Sequence, residues 1–487
     1  MFSGKNYLTQ LEGILIAEKI NVLGVSYGAR TVAMLDAILK SPGYEPTFFI
    51  YDKQWNPYNA MLVNQTGGEH TVGDLKDVEK IVNFAKGKGP IAFAIAGSED
   101  PAIAGLRNEL KKIGITALCP AKELAIEASK VRQREIIAKV CPEANPDYRV
   151  FYVKDYKSKE DPDLKKDFMD WYGKMNGLVA IKPDLPGYGA GVVVAGDHFK
   201  PENEDAAFGF FLKNFEKGDV IVEEAFDCEE FSGQYWSDGK IIVQCPFTRD
   251  FKRRFDGDRG NNTGGMATLK GYGELLPFMT EKDAKLAWDY ASRIFNELKG
   301  PDFVGMPMYI AFAITNKGLK ILEINSRPGD PEILTVLPLI KMPFAEVCMR
   351  MREGGLVQFE HDPKSGLLLY KVPPEYGGGE GKLEDRLVEL EDAYSFRDNI
   401  NELHGEDRSL IYPGSMELVD GETRALGSRT VASIGFSHYW ERAGRIAEAG
   451  LEKIKDGGLE HRRDPLSVEY WDGVIKHADR LRAQARA

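Results

Sequence analysis

The segment "ILEINSRPGDPE" contains the pattern with the clearest chemical meaning in this chain. Glu323 and Asn325 are two residues apart, so a β-strand would point both side chains to one face. Carboxylate and amide oxygens are hard ligands that suit Mg²⁺ bound to nucleotide phosphates, and Arg327 could bind a phosphoryl group from the same face. Taken alone, the pattern would also fit a surface strand with a salt bridge.

A glycine-rich hairpin follows Lys182 in "LVAIKPDLPGYGAGVVVAGD". It lacks the lysine-serine ending of a P-loop, and no helix follows it, so neither that motif nor a Rossmann fingerprint is present. Residues 187–191 are predicted to form a flexible lid whose backbone N–H groups cradle phosphate oxygens that Lys182 neutralises. Without its neighbours, the hairpin would be interpreted as a plain turn.

A third segment, "CPFTRDFKRRFDGDRGNNTGGM" at residues 245–266, combines acids, basic residues and glycines. Charges are costly to bury without partners. The segment is therefore predicted to lie outside the core, and its glycines permit close approach and unusual backbone angles.

The N-terminal part of the chain alternates strand-like and helical segments. "NVLGVSYGARTVAMLDAILK", "TFFIYD" and "PIAFAIAG" predict a parallel, doubly wound sheet that ends near residue 120. Ligands of such sheets bind beyond the carboxyl ends of the strands, which predicts binding loops at residues 26–30 and 97–105.

The remaining elements are more mixed. "KDYKSKEDPDLKKDFMDW" is typical of a solvated loop and helix face. Antiparallel strands are predicted around the hairpin at 187–191 and the turn "SDGK", followed by the helix "EKDAKLAWDYASRIFNELKG". "GLLLYKV" and "SMELVDGETRALGSRTVASIGF" predict further strands before the final helices.

Composition excludes several classes of protein. A length of 487 residues predicts about three or four domains. The net charge of -12 argues against a nucleic-acid partner, and no apolar run is long enough to span a membrane. The five scattered cysteines form no disulfide framework or zinc motif, which favours the reducing cytoplasm. We expect small-molecule substrates and a monomer or small homo-oligomer.

Taken together and in this order, the motifs resemble the ATP-grasp carboxylate-amine ligases, specifically the glycinamide ribonucleotide synthetases, also called phosphoribosylamine–glycine ligases. The resemblance runs from about Val22 to about Arg463. "RDFKRRFDGDRGNNTGGM" resembles the family's S-Q-D-H-K-R-x-x-D-G-D-x-G-x-N-T-G-G-M. "LEINSRPGDPE" is similar to I-E-F-N-A-R-x-G-D-P-E, and "GSRTVASIGF" and "HRRDP" resemble parts of the last domain.

This resemblance implies a multidomain α/β ATP-grasp fold. The expected parts are an N-terminal, doubly wound parallel-sheet domain at residues 1–121, an ATP-grasp lid subdomain at 122–224, a catalytic subdomain at 225–352, and a small α+β C-terminal domain at 353–487.

The resemblance also implies roles for individual residues, with ATP and Mg²⁺ or Mn²⁺ as cofactors. The segment at 245–266 would hold anions and an amine close to the γ-phosphate. The implied sites are metal binding by Glu323 and Asn325; catalysis by Lys182, Asp258 and Arg327; nucleotide binding by Lys130, Lys182, Gly189, Gly191, Glu223, Ala225, Phe226 and Glu230; and substrate binding by Arg30, Glu99, Asp250, Lys252, Arg253, Asn262, Thr263, Gly264, Gly265 and Asp330.

The implied activity is that of a ligase that forms a carbon–nitrogen bond in purine biosynthesis. The carboxylate of glycine would attack the γ-phosphate of ATP. The amine of 5-phosphoribosylamine would then attack the glycyl phosphate, giving glycinamide ribonucleotide, ADP and phosphate. The lid at 187–191 would close during turnover to exclude water.

The chain departs from the family pattern mainly in its N-terminal loops. In "SYGARTV", Thr31 and Val32 stand where the family has Glu and His. "DKQWNPYN" replaces a G-N-x-G loop, Phe251 replaces a histidine, and Ala190 replaces the lid lysine. "GSEDPAIAG" keeps the family's form. Two alternatives therefore stay open: a ligase of this family that acts on a different amine or amino acid, and a noncatalytic nucleotide-binding protein.

Overall fold

The N-terminal part is built around a sheet of four parallel strands in the order β3-β2-β1-β4. The structure, a computed structural model, describes residues 17–185, 191–398 and 407–486. The predicted alternation of strands and helices is confirmed. The elements are β1 (Glu18–Ser26), α1 (Gly28–Leu39), β2 (Tyr44–Asp52), α2 (Pro57–Thr66), β3 (Glu69–Val72), α3 (Val78–Ala85), β4 (Ile91–Ala96), α4 (Glu99–Ala104) and α5 (Leu106–Lys111).

The carboxyl ends of these strands meet at one edge of the sheet. Ser26 at the end of β1 pairs in register with Asp52 at the end of β2. Arg30 lies in the first turn of α1, and Glu99 is the first residue of α4. The loops predicted at residues 26–30 and 97–105 therefore lie at the edge where ligands of parallel sheets bind.

A second sheet, antiparallel and four-stranded, follows in the order β5-β8-β6-β7. The predicted hairpin is present, since Ala180 and Ile181 of β6 pair with Val194 and Val193 of β7. Residues 187–190 of the predicted lid lie outside the described residues. The elements are α6 (Lys130–Val140), β5 (Tyr148–Phe151), α7 (Pro162–Lys174), β6 (Val179–Pro183), β7 (Val193–Val194), α8 (Glu204–Phe215) and β8 (Val220–Glu224).

The largest sheet has the strand order β16-β15-β9-β11-β14-β17-β22-β19, with β10 paired to β9. All twelve residues of β15 are buried. The elements of its first part are β9 (Cys228–Asp238), β10 (Ile242–Gln244), β11 (Thr248–Asp250), β12 (Arg253–Phe255), β13 (Arg259–Asn262), β14 (Ala267–Lys270), α9 (Glu281–Leu298), β15 (Val304–Thr315), β16 (Gly318–Asn325), α10 (Ile333–Val336) and α11 (Phe344–Glu353).

The C-terminal strands continue this sheet, because β17 pairs with β14 and then with β22. One hydrogen-bonded sheet thus crosses the predicted boundary at 352–353, and the domain boundaries themselves stay predictions. The C-terminal elements are β17 (Ser365–Lys371), β18 (Val388–Glu389), α12 (Glu391–Asp398), β19 (Arg408–Pro413), β20 (Met416–Val419), β21 (Glu422–Ala425), β22 (Val431–Ser437), α13 (Trp440–Glu452), β23 (Lys455–Asp456) and α14 (Val468–Gln484).

The segment at 245–266 corrects one expectation, because part of it lies in the core. Phe251 is 1% exposed and Arg254 is 2% exposed. The Arg254 guanidinium lies 2.5 Å from the carboxylate of Glu460 and also donates to the backbone carbonyl of Tyr376 at 2.9 Å. The Arg254 charge is buried together with these partners. The energetic cost of burying an unpaired charge, on which the expectation was based, therefore does not apply to it.

No helix within residues 17–185, 191–398 and 407–486 is both long enough and apolar enough to cross a membrane.

The N-terminal part approaches the large sheet closely at Gly305, near the start of β15. Gly305 has φ +84°, and a Cβ built there would lie 2.1 Å from the carbonyl oxygen of Leu118. We expect Gly305→Ala to cost roughly 2 to 4 kcal/mol, because it adds a backbone clash to a left-handed conformation. A thermal melt should show an apparent melting temperature several degrees below wild type.

The matched control is Gly300→Ala, because a Cβ there would meet nothing within 4 Å. That variant should melt close to wild type. Equal melting of the two variants would show that the contact at Gly305 is looser than the structure indicates.

Candidate active site

The floor of the candidate site is the end of β16, where Glu323 and Asn325 lie side by side. Asn325 Nδ2 donates to Glu323 Oε1 at 3.3 Å, so the two side chains share a face as the spacing predicts. Opposite Glu323 on β15 is Ala311, so the neighbouring strand adds no acid at this level. The site therefore presents one carboxylate and one amide from a single strand.

Three cations surround this floor. Burial acts to raise the pKa of Glu323, but the cations outweigh it, and the pKa lies below its usual value. They are Lys252, Lys182 and Arg327. The cations keep this carboxylate ionised, and they are the groups of the candidate site with which phosphate oxygens could pair.

Lys182 is held in place by the buried carboxylate of Glu223. Lys182 Nζ lies 2.6 Å from Glu223 Oε2. Arg134 binds the same carboxylate with two N–H groups, at 2.6 Å and 2.8 Å. Burial opposes ionisation, but Arg134 and Lys182 lower the pKa of Glu223 to about 2. This geometry makes Glu223 a support for Lys182, and its predicted contact with the nucleotide stays a prediction.

Helix α6 supports the site from behind. Arg134 also donates to the carbonyl oxygens of Ile321 at 2.8 Å and Leu322 at 2.5 Å, which fixes α6 against β16. Lys130 is the first residue of α6, and its ammonium donates to the carbonyl of Leu185 at 2.7 Å, at the base of the predicted lid. Burial lowers the pKa of Lys130 below its usual value.

Arg327 faces two buried carboxylates. Its Nε lies 3.5 Å from Glu99 Oε2 and 3.6 Å from Glu127 Oε1. Burial raises the pKa of Glu127 to about 8, although Arg327 acts against it. The guanidinium therefore joins the N-terminal sheet to the end of β16.

Arg30 lies beside this group rather than on the surface. It is 4% exposed, its Nη1 donates to the carbonyl of Pro328 at 2.5 Å, and its Nη2 lies 3.8 Å from Glu99. Burial and the nearby Arg327 lower its pKa. Its predicted contact with a substrate phosphate stays a prediction.

Asp330 and the glycine pair at 264–265 are tied together by Arg429. Arg429 Nη1 lies 3.0 Å from Asp330 Oδ1, donates to the Asp330 carbonyl at 2.9 Å, and donates to the carbonyl of Gly264. The hydroxyl of Tyr370 also donates to Asp330, at 3.0 Å.

Asp250 carries a buried carboxylate oxygen, Oδ1, with no hydrogen-bond partner among the residues the structure describes. Burial and the neighbouring Glu332 raise its pKa well above the usual value. Gly265 packs directly against it: at φ +106°, a Cβ on Gly265 would lie 2.5 Å from that oxygen. This unpartnered oxygen therefore lies against Gly265, the last residue of the "NTGG" segment at residues 262–265.

Other residues of the segment at 245–266 make different contacts. Lys252 Nζ donates to Glu230 Oε2 at 2.7 Å, which joins two predicted site residues. Thr263 Oγ1 donates to the Lys252 carbonyl at 2.8 Å, and Asn262 is exposed at the end of β13. Arg253 pairs with Asp197 and donates to the Gly260 carbonyl at 3.0 Å.

Asp258, predicted to be catalytic, is bound by the C-terminal segment. Arg462 donates to its Oδ1 at 3.0 Å and the Tyr470 hydroxyl to its Oδ2 at 2.9 Å.

The predicted adenine connector is the short link between β8 and β9, in which Ala225 N donates to the carbonyl of Leu178 at 3.0 Å. Phe226 lies in the same link. Of the two predicted lid glycines, Gly191 is described and Gly189 lies outside the described residues.

The sequence interpretation missed Arg134, Glu127 and Arg429 as parts of the site. Arg429 lies within "GSRTVASIGF", a segment already recognised as similar to the family, so that signal was available. Arg134 and Glu127 lie in ordinary helical sequence and had no signal of their own. Within the described ranges, no group of three or more His, Cys, Asp or Glu side chains is placed to hold a metal ion by itself.

The chain is similar in sequence to known proteins. Residues 147–333 match the family model described as phosphoribosylglycinamide synthetase, ATP-grasp (A) domain. The phosphoribosylamine–glycine ligase of Methanosarcina barkeri is 32% identical over 95% of this chain and 100% of its own length. That of Pyrococcus furiosus is 31% identical over 95% of this chain and 98% of its own.

Solved structures show the same fold. The phosphoribosylamine–glycine ligase of Thermotoga maritima matches with a TM-score of 0.69 and 22% identity, over 92% of this chain and 99% of that one. The biotin carboxylase domain of the Hydrogenobacter thermophilus 2-oxoglutarate carboxylase, a complex with MgADP, ADP and bicarbonate, matches with a TM-score of 0.66 and 14% identity, over 96% and 98%. By its identity to curated relatives over nearly its whole length, the chain belongs to the phosphoribosylamine–glycine ligase family.

Proposed function

We propose that this protein is an ATP-dependent ligase that joins glycine to 5-phosphoribosylamine in purine biosynthesis. The observation that carries the proposal is the group of cations Lys182, Lys252 and Arg327, each of which favours the ionised form of Glu323. Lys182 and Lys252 are anchored by Glu223 and Glu230. Such a pocket binds the phosphates of ATP and stabilises charge on a phosphoryl group in transfer. Both substrates and products are soluble small molecules, and we place the reaction in the cytoplasm.

Divalent metal use is part of this proposal. The adjacent carboxylate of Glu323 and amide of Asn325 fit Mg²⁺ or Mn²⁺, which take oxygen ligands and complete their shell with phosphate oxygens and water. When bound there, the metal would neutralise phosphate charge. Lys182, Lys252 and Arg327 would neutralise the rest of the phosphate charge. The ion pair with Glu223 keeps Lys182 oriented toward the phosphates.

The first chemical step is phosphoryl transfer to glycine. A carboxylate oxygen of glycine bonds to the γ-phosphorus, the bond from that phosphorus to the β–γ bridging oxygen breaks, and ADP leaves. Arg327 and Lys182 bind the phosphoryl oxygens as the charge moves. Holding both reactants in line can supply up to about 7 to 11 kcal/mol of the barrier reduction.

The second step forms the amide bond. The amine of the acceptor attacks the acyl carbon of glycyl phosphate, the carbon–oxygen bond to phosphate breaks, and the nitrogen loses a proton. The acceptor must therefore reach the site from a neighbouring opening. We assign the acceptor to a cleft of about 450 Å³ at the carboxyl edge of the N-terminal sheet, beside Tyr27, which is lined by Lys53, Trp55 and Ser428, among others.

This cleft also favours a second candidate function, ligation to a different amine. Its wall includes Lys53, Gln54 and Trp55 from "DKQWNPYN", the segment that replaces the family's G-N-x-G loop. Arg30, which the sequence suggested for the ribose phosphate, is buried against Pro328. The acceptor is therefore the part of the proposal that most needs a direct test.

The test measures ADP release with each substrate omitted in turn. We expect release to require ATP, glycine and freshly generated 5-phosphoribosylamine, and mass spectrometry to identify glycinamide ribonucleotide. ADP formed from glycine with another amine would support the second candidate. Absence of ADP with any amino acid and amine would contradict both candidates.

A second prediction concerns the ammonium group of glycine. The unpartnered Oδ1 of Asp250 is a free buried acceptor, and a glycine ammonium would satisfy it. We expect Asp250→Asn to raise the KM for glycine by about tenfold or more, with the KM for ATP changing by less than about twofold, because only glycine loses a charged contact.

Asp256→Asn is the control, since Asp256 is an acid of the same segment whose side chain binds the backbone N–H groups of Arg463 and Asp464. It should leave the KM for glycine near the wild-type value. Equal KM values for glycine in Asp250→Asn and wild type would remove Asp250 from the glycine site.

A further inference from the structure

Helix α14 packs against the side of the large sheet that faces away from the candidate site. Neighbouring residues of β9 point to opposite faces. Glu230 bonds to Lys252 on the site face. Glu229 is 6% exposed on the other face, where it accepts from Arg249 and lies 2.7 Å from Nδ1 of His477. A residue of α14 therefore holds the strand that carries Glu230.

His477 also reaches the link between β8 and β9. Its Nε2 lies 3.0 Å from Asp227 Oδ1, so the imidazole lies between two carboxylates that flank Cys228. Asp227 follows Ala225 and Phe226, the predicted adenine connector. Helix α14 therefore contacts the end of this connector.

A second residue of α14 reaches the loop that carries Asp258. Arg249 Nη2 donates to the hydroxyl of Tyr470 at 3.2 Å, and that hydroxyl donates to Asp258 Oδ2 at 2.9 Å. Arg249 lies over an aromatic wall with ring centroids 5.3 to 6.0 Å away, formed by Phe251, Phe278, Tyr470 and Trp471.

These contacts form one continuous polar chain behind the sheet. It runs from the adenine connector through His477 and Glu229 to Arg249, and then through Tyr470 to Asp258. The hydrogen bonds of this chain restrict the movement of its members, and His477 Nε2 adds an ion-pair approach to Asp227.

We propose that α14 is a positioning element that sets the adenine connector and the Asp258 loop relative to each other, with His477 and Tyr470 as its positioning residues. This inference rests on the proposed ATP site. In this proposal the helix acts through two segments that the sequence assigns to the nucleotide site, the connector at Ala225 and Phe226 and the loop of Asp258.

The test separates the two segments by kinetics and calorimetry on the full chain. For His477→Ala, we expect the Kd and KM for MgATP to rise about fivefold or more with kcat within about twofold, since the connector binds ATP alike in ground and transition states. His477→Gln, which keeps a donor toward Glu229, should recover most of the affinity. Lys476→Ala, an exposed neighbour on the same helix, should match wild type.

For Tyr470→Phe, the ring stays and only the hydroxyl is lost. We expect kcat to fall about tenfold while the KM for ATP stays within about twofold, because the sequence assigns Asp258 to catalysis rather than to nucleotide binding. Wild-type affinity in His477→Ala together with wild-type kcat in Tyr470→Phe would overturn the positioning role alone. A wild-type protein that binds no MgATP would overturn both this role and the proposed function.

Discussion

The site depends on one buried interaction, the carboxylate of Glu223 shared by Arg134 and Lys182. Glu223 lies on β8, Lys182 on β6 and Arg134 on α6, so the interaction joins three elements. Arg134 extends it to β16 through two backbone carbonyls. Losing one partner of such a buried ion pair typically costs about 3 to 5 kcal/mol, because the other charge is left without compensation. The orientation of Lys182, the lysine proposed to bind phosphate, thereby depends on the same interaction that stabilises the fold.

Neighbouring side chains along a strand of the large sheet point to opposite faces. One face of the sheet therefore contributes to the candidate site, and the other packs against α14. On β9, Glu230 faces the site and Glu229 faces α14. Just beyond the end of β11, Lys252 interacts electrostatically with Glu323. Its neighbour Phe251 packs against Tyr470 and Trp471. Phe251 stands where the family has a histidine, and in this chain that position belongs to the supporting face.

Local patterns of the sequence predicted much of the fold and the central part of the site. The parallel N-terminal sheet followed from alternating elements, and the Glu323–Asn325 pair followed from a two-residue spacing. Both predictions rest on residues that are close to one another in the sequence. The pairing of β14 with β17 does not, since nothing in either strand specifies its partner.

The features that the sequence did not predict depend on contacts between residues far apart in the chain. The burial of Arg254 depends on Glu460, and the orientation of Lys182 depends on Arg134. The guanidinium of Arg30 donates to the carbonyl of Pro328, and its expected contact with a substrate phosphate stays a prediction. In each case, the decisive contact joins residues far apart in sequence, and only the folded chain shows it.

The central claim is that the site activates a carboxylate by transferring the γ-phosphoryl group to it. Isotope transfer tests this directly. Turnover with glycine labelled by ¹⁸O in its carboxylate should yield inorganic phosphate that carries one labelled oxygen, as mass spectrometry of the released phosphate would show. Release of unlabelled phosphate during product formation would contradict a glycyl phosphate intermediate and the role assigned to this site.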